Sequence, residues 1–308
     1  MLNAAFIFPG QGAQKVGMGR EFYDSSPSAK KIFDAADKIL ANGLLDATFN
    51  GPSEKLTQTA YCQPAILTVS IAALAAFEAH PKFQNLKLRF TAGLSLGEYS
   101  ALVAAQALSF EDALRLVERR SFFMEEATKL SKGKMAAVIG FPKEKLIEIC
   151  KQTGVEVANF NSPEQIVITG YAKKVEAACE LIKKEGAISV IPLDVSGAFH
   201  SSLMQPAAQK FEVELKKVKI NPAKIPVVSN VNALPEINPA QIEKNLGQQI
   251  TSSVLWEESV RYIAGQEVGN FIEIGPGTVL KGLIRKINPN LIVHNIQKPE
   301  DIENLPFY

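Results

Sequence analysis

Gly93-Leu94-Ser95-Leu96-Gly97 fits the pattern G-x-S-x-G. The glycines of that pattern permit a sharp strand-to-helix turn that lifts the Ser hydroxyl into the open as a nucleophile. Five residues can match by chance, so the flanks matter. A strand-like run at 88–92 precedes the pattern and helical spacing at 98–108 follows it, which is the order the turn requires. The bland alternative is a glycine-lined βα turn with an incidental Ser.

A hydroxyl nucleophile needs a base, and the chain offers three histidines: His80, His200 and His294. His80, in Ala79-His80-Pro81, closes a helical stretch. His294 lies in an apparent strand, 291–295, where a satisfied structural histidine is the ordinary reading. His200 lies in Ser196-Gly197-Ala198-Phe199-His200-Ser201, a junction loop of the kind that can present a side chain to a cleft. Taken alone, it is equally compatible with a structural role.

A cation adds a further clue. Ala113, Leu116, Arg120, Phe123 and Ala127 follow one another at spacings of three or four and define one apolar helix stripe. Arg119 falls instead with Asp112, Arg115 and Glu126, on the side where exposed charge is expected. A guanidinium on a buried face must find a partner, because a lone desolvated charge is costly, and its planar fork suits a carboxylate. An internal partner, or a stem that snorkels to water, would also satisfy it.

These side chains need elements to hold them. A buried strand is expected at 4–8, stopping at Pro9-Gly10, with helices at 29–40 and 64–80. Ser109-Phe110-Glu111-Asp112 reads as a capping box opening a helix to about 128. Strand, Gly turn and helix in that order indicate an α/β domain. Within 129–195 the pattern becomes strand 135–140, helix 144–152, strand 155–159, strand 165–169, helix 172–185 and strand 188–193. That βαββαβ order marks an inserted ferredoxin-like small domain, so 1–128 and 196–308 are expected to form one larger domain. Strands at 226–229 and 270–274 follow, the second running into Gly275-Pro276-Gly277 and a helix at 278–287.

Composition narrows the function classes. The 308 residues carry 33 Lys+Arg against 32 Asp+Glu, a net charge of +1 that gives no case for nucleic acid. With 46% apolar and 21% charged residues the chain reads as soluble and globular. Cys62, Cys150 and Cys179 are odd in number, far apart and in no CxxC pair, which argues against disulfides and zinc and for a reducing cytoplasm. The N-terminus lacks the basic region of a secretory signal. The longest apolar run, 64–77, is interrupted by Thr68 and Ser70 and is shorter than the ~20 residues a bilayer requires, so no membrane is expected. Gly17-Met18-Gly19 and Gly275-Pro276-Gly277 lack the third glycine of a dinucleotide fingerprint, and no phosphate-binding P-loop occurs. Neither cofactor nor metal is expected.

Phe8-Pro9-Gly10-Gln11-Gly12, the Gly93 to Glu98 segment, Arg120, Asn159-Phe160-Asn161-Ser162-Pro163, Gly197 to Ser201, Gln249 to Trp256 and Glu273 to Gly277 stand in one order along the chain. Together they resemble the bacterial-type malonyl-CoA:acyl carrier protein transacylases of fatty-acid synthesis, from about residue 4 to 287. The resemblance implies a hydrolase-like large domain with a parallel sheet, carrying the ferredoxin-like insert. It implies that Ser95 takes the acyl group, that His200 is base and acid, and that the main-chain carbonyl of Gln249 orients the imidazole in place of a triad acid. Backbone N–H groups of Gln11 and Leu96 would form the oxyanion hole. Arg120 would bind the free carboxylate of malonyl, and Phe199 would restrict the acyl pocket.

The substrates so implied are malonyl-CoA and acyl carrier protein, with a monomer expected and no cofactor needed, since transfer between thioesters is near thermoneutral. One departure stands out: members commonly have His before the nucleophile, where this chain has Leu94. Carboxylate recognition would then rest more heavily on Arg120. Two other readings share some of these residues: a serine esterase or thioesterase, which has no reason to bury a cation, and a non-catalytic scaffold that binds carrier protein.

Overall fold

β1 (Leu2–Phe8) is buried from Ala4 onward, as a continuous apolar strand must be when helices cover both faces of a parallel sheet. The computed structural model describes residues 1–307. After β1 come α1 (Arg20–Ser25), α2 (Pro27–Leu40), α3 (Leu44–Phe49), α4 (Ser53–Thr57) and α5 (Thr59–Glu78), then β2 (Leu86–Gly93), α6 (Gly97–Ala104) and α7 (Phe110–Leu130). Ser109 caps α7 by accepting from Asp112 N at 3.0 Å, as its sequence predicts.

The next stretch is β3 (Gly133–Ile139), α8 (Lys143–Thr153), β4 (Glu156–Ser162), β5 (Gln165–Tyr171), α9 (Ala172–Lys184) and β6 (Ser189–Pro192). The chain then adds α10 (Gln205–Leu215), β7 (Val227–Val228), β8 (Pro235–Glu236), α11 (Pro239–Gln249), α12 (Trp256–Gly265), β9 (Asn270–Ile274), α13 (Val279–Ile287), β10 (Ile292–Ile296) and α14 (Pro299–Glu303).

Two sheets result. The larger has the order β10-β9-β1-β2-β7-β8 and is parallel except at the β7–β8 edge. The smaller has the order β4-β5-β3-β6 with every pair antiparallel, the ferredoxin-like arrangement. Its two faces obey the period of two. Ala136 and Val138 of β3 pack with Leu146, Val175 and Ile182 under the local helices. Met135 and Ala137 face the other way, into the main core. A backbone bridge also ties the small sheet to the later chain, with Val254 N donating to Ala158 O at 2.8 Å and Phe160 N to Val254 O at 2.9 Å.

Two sequence expectations need correction. The apolar run at 64–77 lies in α5, which is 20 residues long because a polar turn at 59–63 extends it, and which by length and composition could cross a membrane. In the fold 78% of an 18-residue segment of this helix is buried, as befits a core helix. The helix expected to reach 108 ends at Ala104. There Gln106 takes φ 58°, and Ala105 and Ala107 offer their carbonyls to Lys224 N (2.8 Å) and Asn221 N (2.9 Å). A tertiary contact stops the helix where local spacing would continue it.

Candidate active site

Only Leu94, Ser95 and Leu96 separate the end of β2 from the start of α6. A Cβ on Gly93 would lie 1.9 Å from the carbonyl carbon of Gly97, and one on Gly97 would lie 2.1 Å from the carbonyl oxygen of Phe8. Both glycines of the pattern are therefore demanded by backbone packing. Ser95 itself has φ 52°, a left-handed conformation that costs a non-glycine residue about 1–2 kcal/mol. Clamps hold it there: Ser95 N donates to Asn230 Oδ1 at 2.6 Å, Asn230 Nδ2 to Gly93 O at 2.7 Å, and Gln249 Nε2 to Ser95 O at 3.0 Å.

His200 sits in the loop that leaves the small sheet, and its Nε2 lies 2.7 Å from Ser95 Oγ. Its Nδ1 lies 2.9 Å from the main-chain oxygen of Gln249. A carbonyl only accepts, so Nδ1 carries the hydrogen and Nε2 presents its lone pair to the hydroxyl. Gln249 is the last residue of α11, where carbonyls lack intrahelical partners; the helix end thus supplies a free acceptor. Burial, then the Arg120 charge, lowers the His200 pKa to about 4 against the opposing pull of that carbonyl. The imidazole is neutral at rest.

The other histidines lie elsewhere. His80 caps a surface turn and faces Glu303 at 3.2 Å; His294 lies on β10, edge-on to Phe307.

Arg120 is fully buried on the stripe its spacing indicates. Its Nη1 donates to Gln63 Oε1 at 2.7 Å, and its Nη2 to Gln249 Oε1 and Ser95 Oγ, each at 3.0 Å. The guanidinium carbon lies 5.6 Å from the Tyr99 ring centroid. Among the described residues Arg120 has no salt bridge. The cation is held by neutral dipoles with one edge at the Ser95 hydroxyl.

Above these groups opens a cleft of about 390 Å³, lined by Gln11, Leu94, Ser95, Leu96, Phe199 and His200 among others, within the usual range for a small-molecule site. Gly10 lets the first loop close on the elbow, since a Cβ there would lie 2.5 Å from Leu94 O. The backbone N–H groups of Gln11 and Leu96 have no hydrogen-bond partner among the described residues. Two free donors beside a serine hydroxyl could receive a tetrahedral oxyanion. Phe199 is 5% exposed, and its carbonyl accepts from Thr169 Oγ1 at 3.0 Å, which fixes the loop carrying its ring. Leu94 brings an apolar side chain to the cleft.

Sequence reasoning assigned no role to Gln63, Glu98, Tyr99 or Asn230, which the fold brings to this site. The signal for Gln63 was a polar residue within an apolar helix; for Glu98 it was a charge in the otherwise small and apolar α6. Asn230, in an irregular segment, carried none.

The chain matches the acyl transferase domain family over residues 5–294. It is 47% identical to a malonyl CoA-acyl carrier protein transacylase of Bacillus subtilis over 98% of this chain and 96% of that one. To the enzyme of the same name from Staphylococcus aureus it is 43% identical, over 98% of each chain. Among solved structures, an acyl-carrier-protein-S-malonyltransferase from Bartonella henselae superposes with a TM-score of 0.94 at 39% identity, covering 98% of both chains. A type II PKS acyl-carrier protein in complex with its malonyl-transacylase provides another match, with TM-score 0.93, 36% identity and 98% coverage of both chains.

Proposed function

Since the chain belongs to the acyl transferase family, we propose that it moves a malonyl group from malonyl-CoA to the phosphopantetheine thiol of acyl carrier protein, through a Ser95 ester, and so supplies fatty-acid synthesis. The observation that carries this reading is Arg120: a buried cation without an ionic partner among the described residues, 3.0 Å from Ser95 Oγ. An esterase has no use for it, whereas an acyl group ending in a carboxylate does.

In the first half-reaction Ser95 Oγ attacks the thioester carbon as its proton passes to His200 Nε2. The oxyanion forms against the N–H groups of Gln11 and Leu96. The nascent imidazolium keeps its Nδ1–H on the Gln249 carbonyl, at the helix end whose partial negative charge favours a cation. Collapse breaks the C–S bond, and the CoA sulfur leaves with the proton from Nε2. In the second half-reaction the carrier-protein thiol gives its proton to Nε2 and attacks the serine ester. Collapse then returns the proton to Ser95 Oγ and releases the malonyl thioester. Phe199 bounds the acyl pocket throughout.

We also propose that the enzyme works as a monomer in the cytoplasm, away from membranes and nucleic acid; the free thiols of Cys62, Cys150 and Cys179 are in keeping with a reducing compartment. Intact mass after mixing with malonyl-CoA, acetyl-CoA and methylmalonyl-CoA separately tests the central reading. A malonyl adduct that is discharged by the carrier-protein thiol faster than by water is expected. Equal labelling by all three esters, or discharge to water alone, would favour a hydrolase.

A further inference from the structure

Gln249 holds the site together with both of its carbonyl oxygens, and its side-chain amide has only one workable orientation. Oε1 accepts from Arg120 Nη2 at 3.0 Å, while Nε2 donates to Ser95 O at 3.0 Å and to Glu98 Oε2 at 2.5 Å. Rotated by half a turn, the amide would set two donors against each other at Arg120 and two acceptors against each other at Ser95 and Glu98. Glu98, together with the Ser95 carbonyl, therefore selects the orientation in which Gln249 can grip the guanidinium.

Glu98 lies under the nucleophile elbow, fully buried. Its backbone N–H donates to Ser95 O at 3.1 Å, and its Oε2 lies 3.4 Å from Asn230 N. One carboxyl group thus touches both residues that clip the left-handed Ser95, through the backbone N–H of Asn230 and the side-chain amide of Gln249. Glu98 faces neither His200 nor the cleft, so it touches no reacting atom. An acid so placed is costly, and burial raises its pKa; a structural apolar residue would fill the space at less cost.

We propose that Glu98 is a positioning residue for substrates that end in a carboxylate: its oxygen fixes the Gln249 amide, and the amide sets the Arg120 guanidinium toward the malonyl group. The role rests on the proposed transacylase reaction and adds a determinant of acyl selectivity to it. It depends on reach and on an acceptor atom, with the charge of the carboxyl group incidental. Glu98→Gln keeps an acceptor oxygen at the same length. Glu98→Asp keeps the acid but withdraws it by about 1.5 Å, one C–C bond.

The experiment measures acylation of Ser95 by intact mass and compares malonyl-CoA with acetyl-CoA as a ratio of kcat/KM, so that general damage to the fold cancels. Glu98→Gln is expected to keep the ratio within about threefold of wild type, while Glu98→Asp lowers it by about tenfold, the cost of one buried hydrogen bond left unmade. In Gln249→Met the Asp substitution should lower the ratio no further, because its route is gone. Any result in which Gln fails to exceed Asp, or in which the Asp effect survives in Gln249→Met, overturns the proposal. A wild-type enzyme without preference for malonyl would instead overturn the transacylase reading itself, so the two failures are separable.

Discussion

Ser95 and His200 meet at 2.7 Å, and both adopt left-handed backbone conformations, with φ of 52° and 56°. Two non-glycine residues are strained in the same sense, one to raise its hydroxyl above the elbow and the other to turn its imidazole onto it. Such strain persists only where surrounding contacts over-determine it. Asn230 and Gln249 supply them for Ser95; the Ser201 hydroxyl, donating to Ala198 O at 2.6 Å, braces the loop around His200.

Loss of either partner should therefore stop acylation without unfolding the protein. Ser95→Ala is expected to give no malonyl adduct, and His200→Ala to slow adduct formation by at least ~100-fold, the usual contribution of a positioned base. A Ser95→Ala protein labelled at the wild-type rate would remove Ser95 from its role. A greater loss in His80→Ala or His294→Ala would remove His200.

Arg120→Ala should abolish the preference for malonyl. Taking one partner from a desolvated charged pair costs about 3–5 kcal/mol, or roughly 10²–10³-fold and more in kcat/KM. Acetyl lacks the carboxylate, so its transfer should hold or rise. Arg120→Lys should restore only part of the ratio, because an ammonium cannot present two parallel donors. An unchanged malonyl-to-acetyl ratio in Arg120→Ala would make the guanidinium a purely structural group.

The pH profile should carry the mark of His200. Burial and the Arg120 charge hold its pKa at about 4, below the ordinary 6.5. His200 is neutral between those values, so if it is the base, kcat/KM for acylation should stay level from pH 7 toward pH 5, with no inflection near 6.5. Stability behaves in the matching sense. A depressed histidine pKa means that the unfolded chain binds the proton first, so this contribution is complete above 6.5 and is lost as pH falls toward 4. In a stopped-flow titration of wild type, an inflection at 6.5 would count against a buried, cation-facing base.

Phe199 should set the size of the acyl pocket. Its ring lines the cleft beside His200 and is 5% exposed. Phe199→Ser opens room for an α-methyl branch, and a methyl group in such a pocket decides about 1–3 kcal/mol. Methylmalonyl transfer relative to malonyl should rise tenfold or more in competition assays. A constant ratio would place the selectivity elsewhere in the cleft.

Much of this arrangement is written locally in the chain. The apolar run ending at Pro9-Gly10, the strand before Gly93 and the helix after Gly97 follow from spacing, and spacing alone puts Arg120 on the buried face of α7 and Arg119 on the exposed one. The βαββαβ order likewise follows from alternating periods. The contacts that join the site do not. Ser95 meets His200 across 105 residues, Arg120 meets Gln63 and Gln249 across 57 and 129, and Ser95 meets Asn230 across 135. The physical reason is one of range. Periodicity reports which face of an element is buried, because each turn or pleat repeats the same surroundings. The partner of a buried amide or imidazole is set once, by how sheets and loops close on one another, and leaves no repeat in the chain to read.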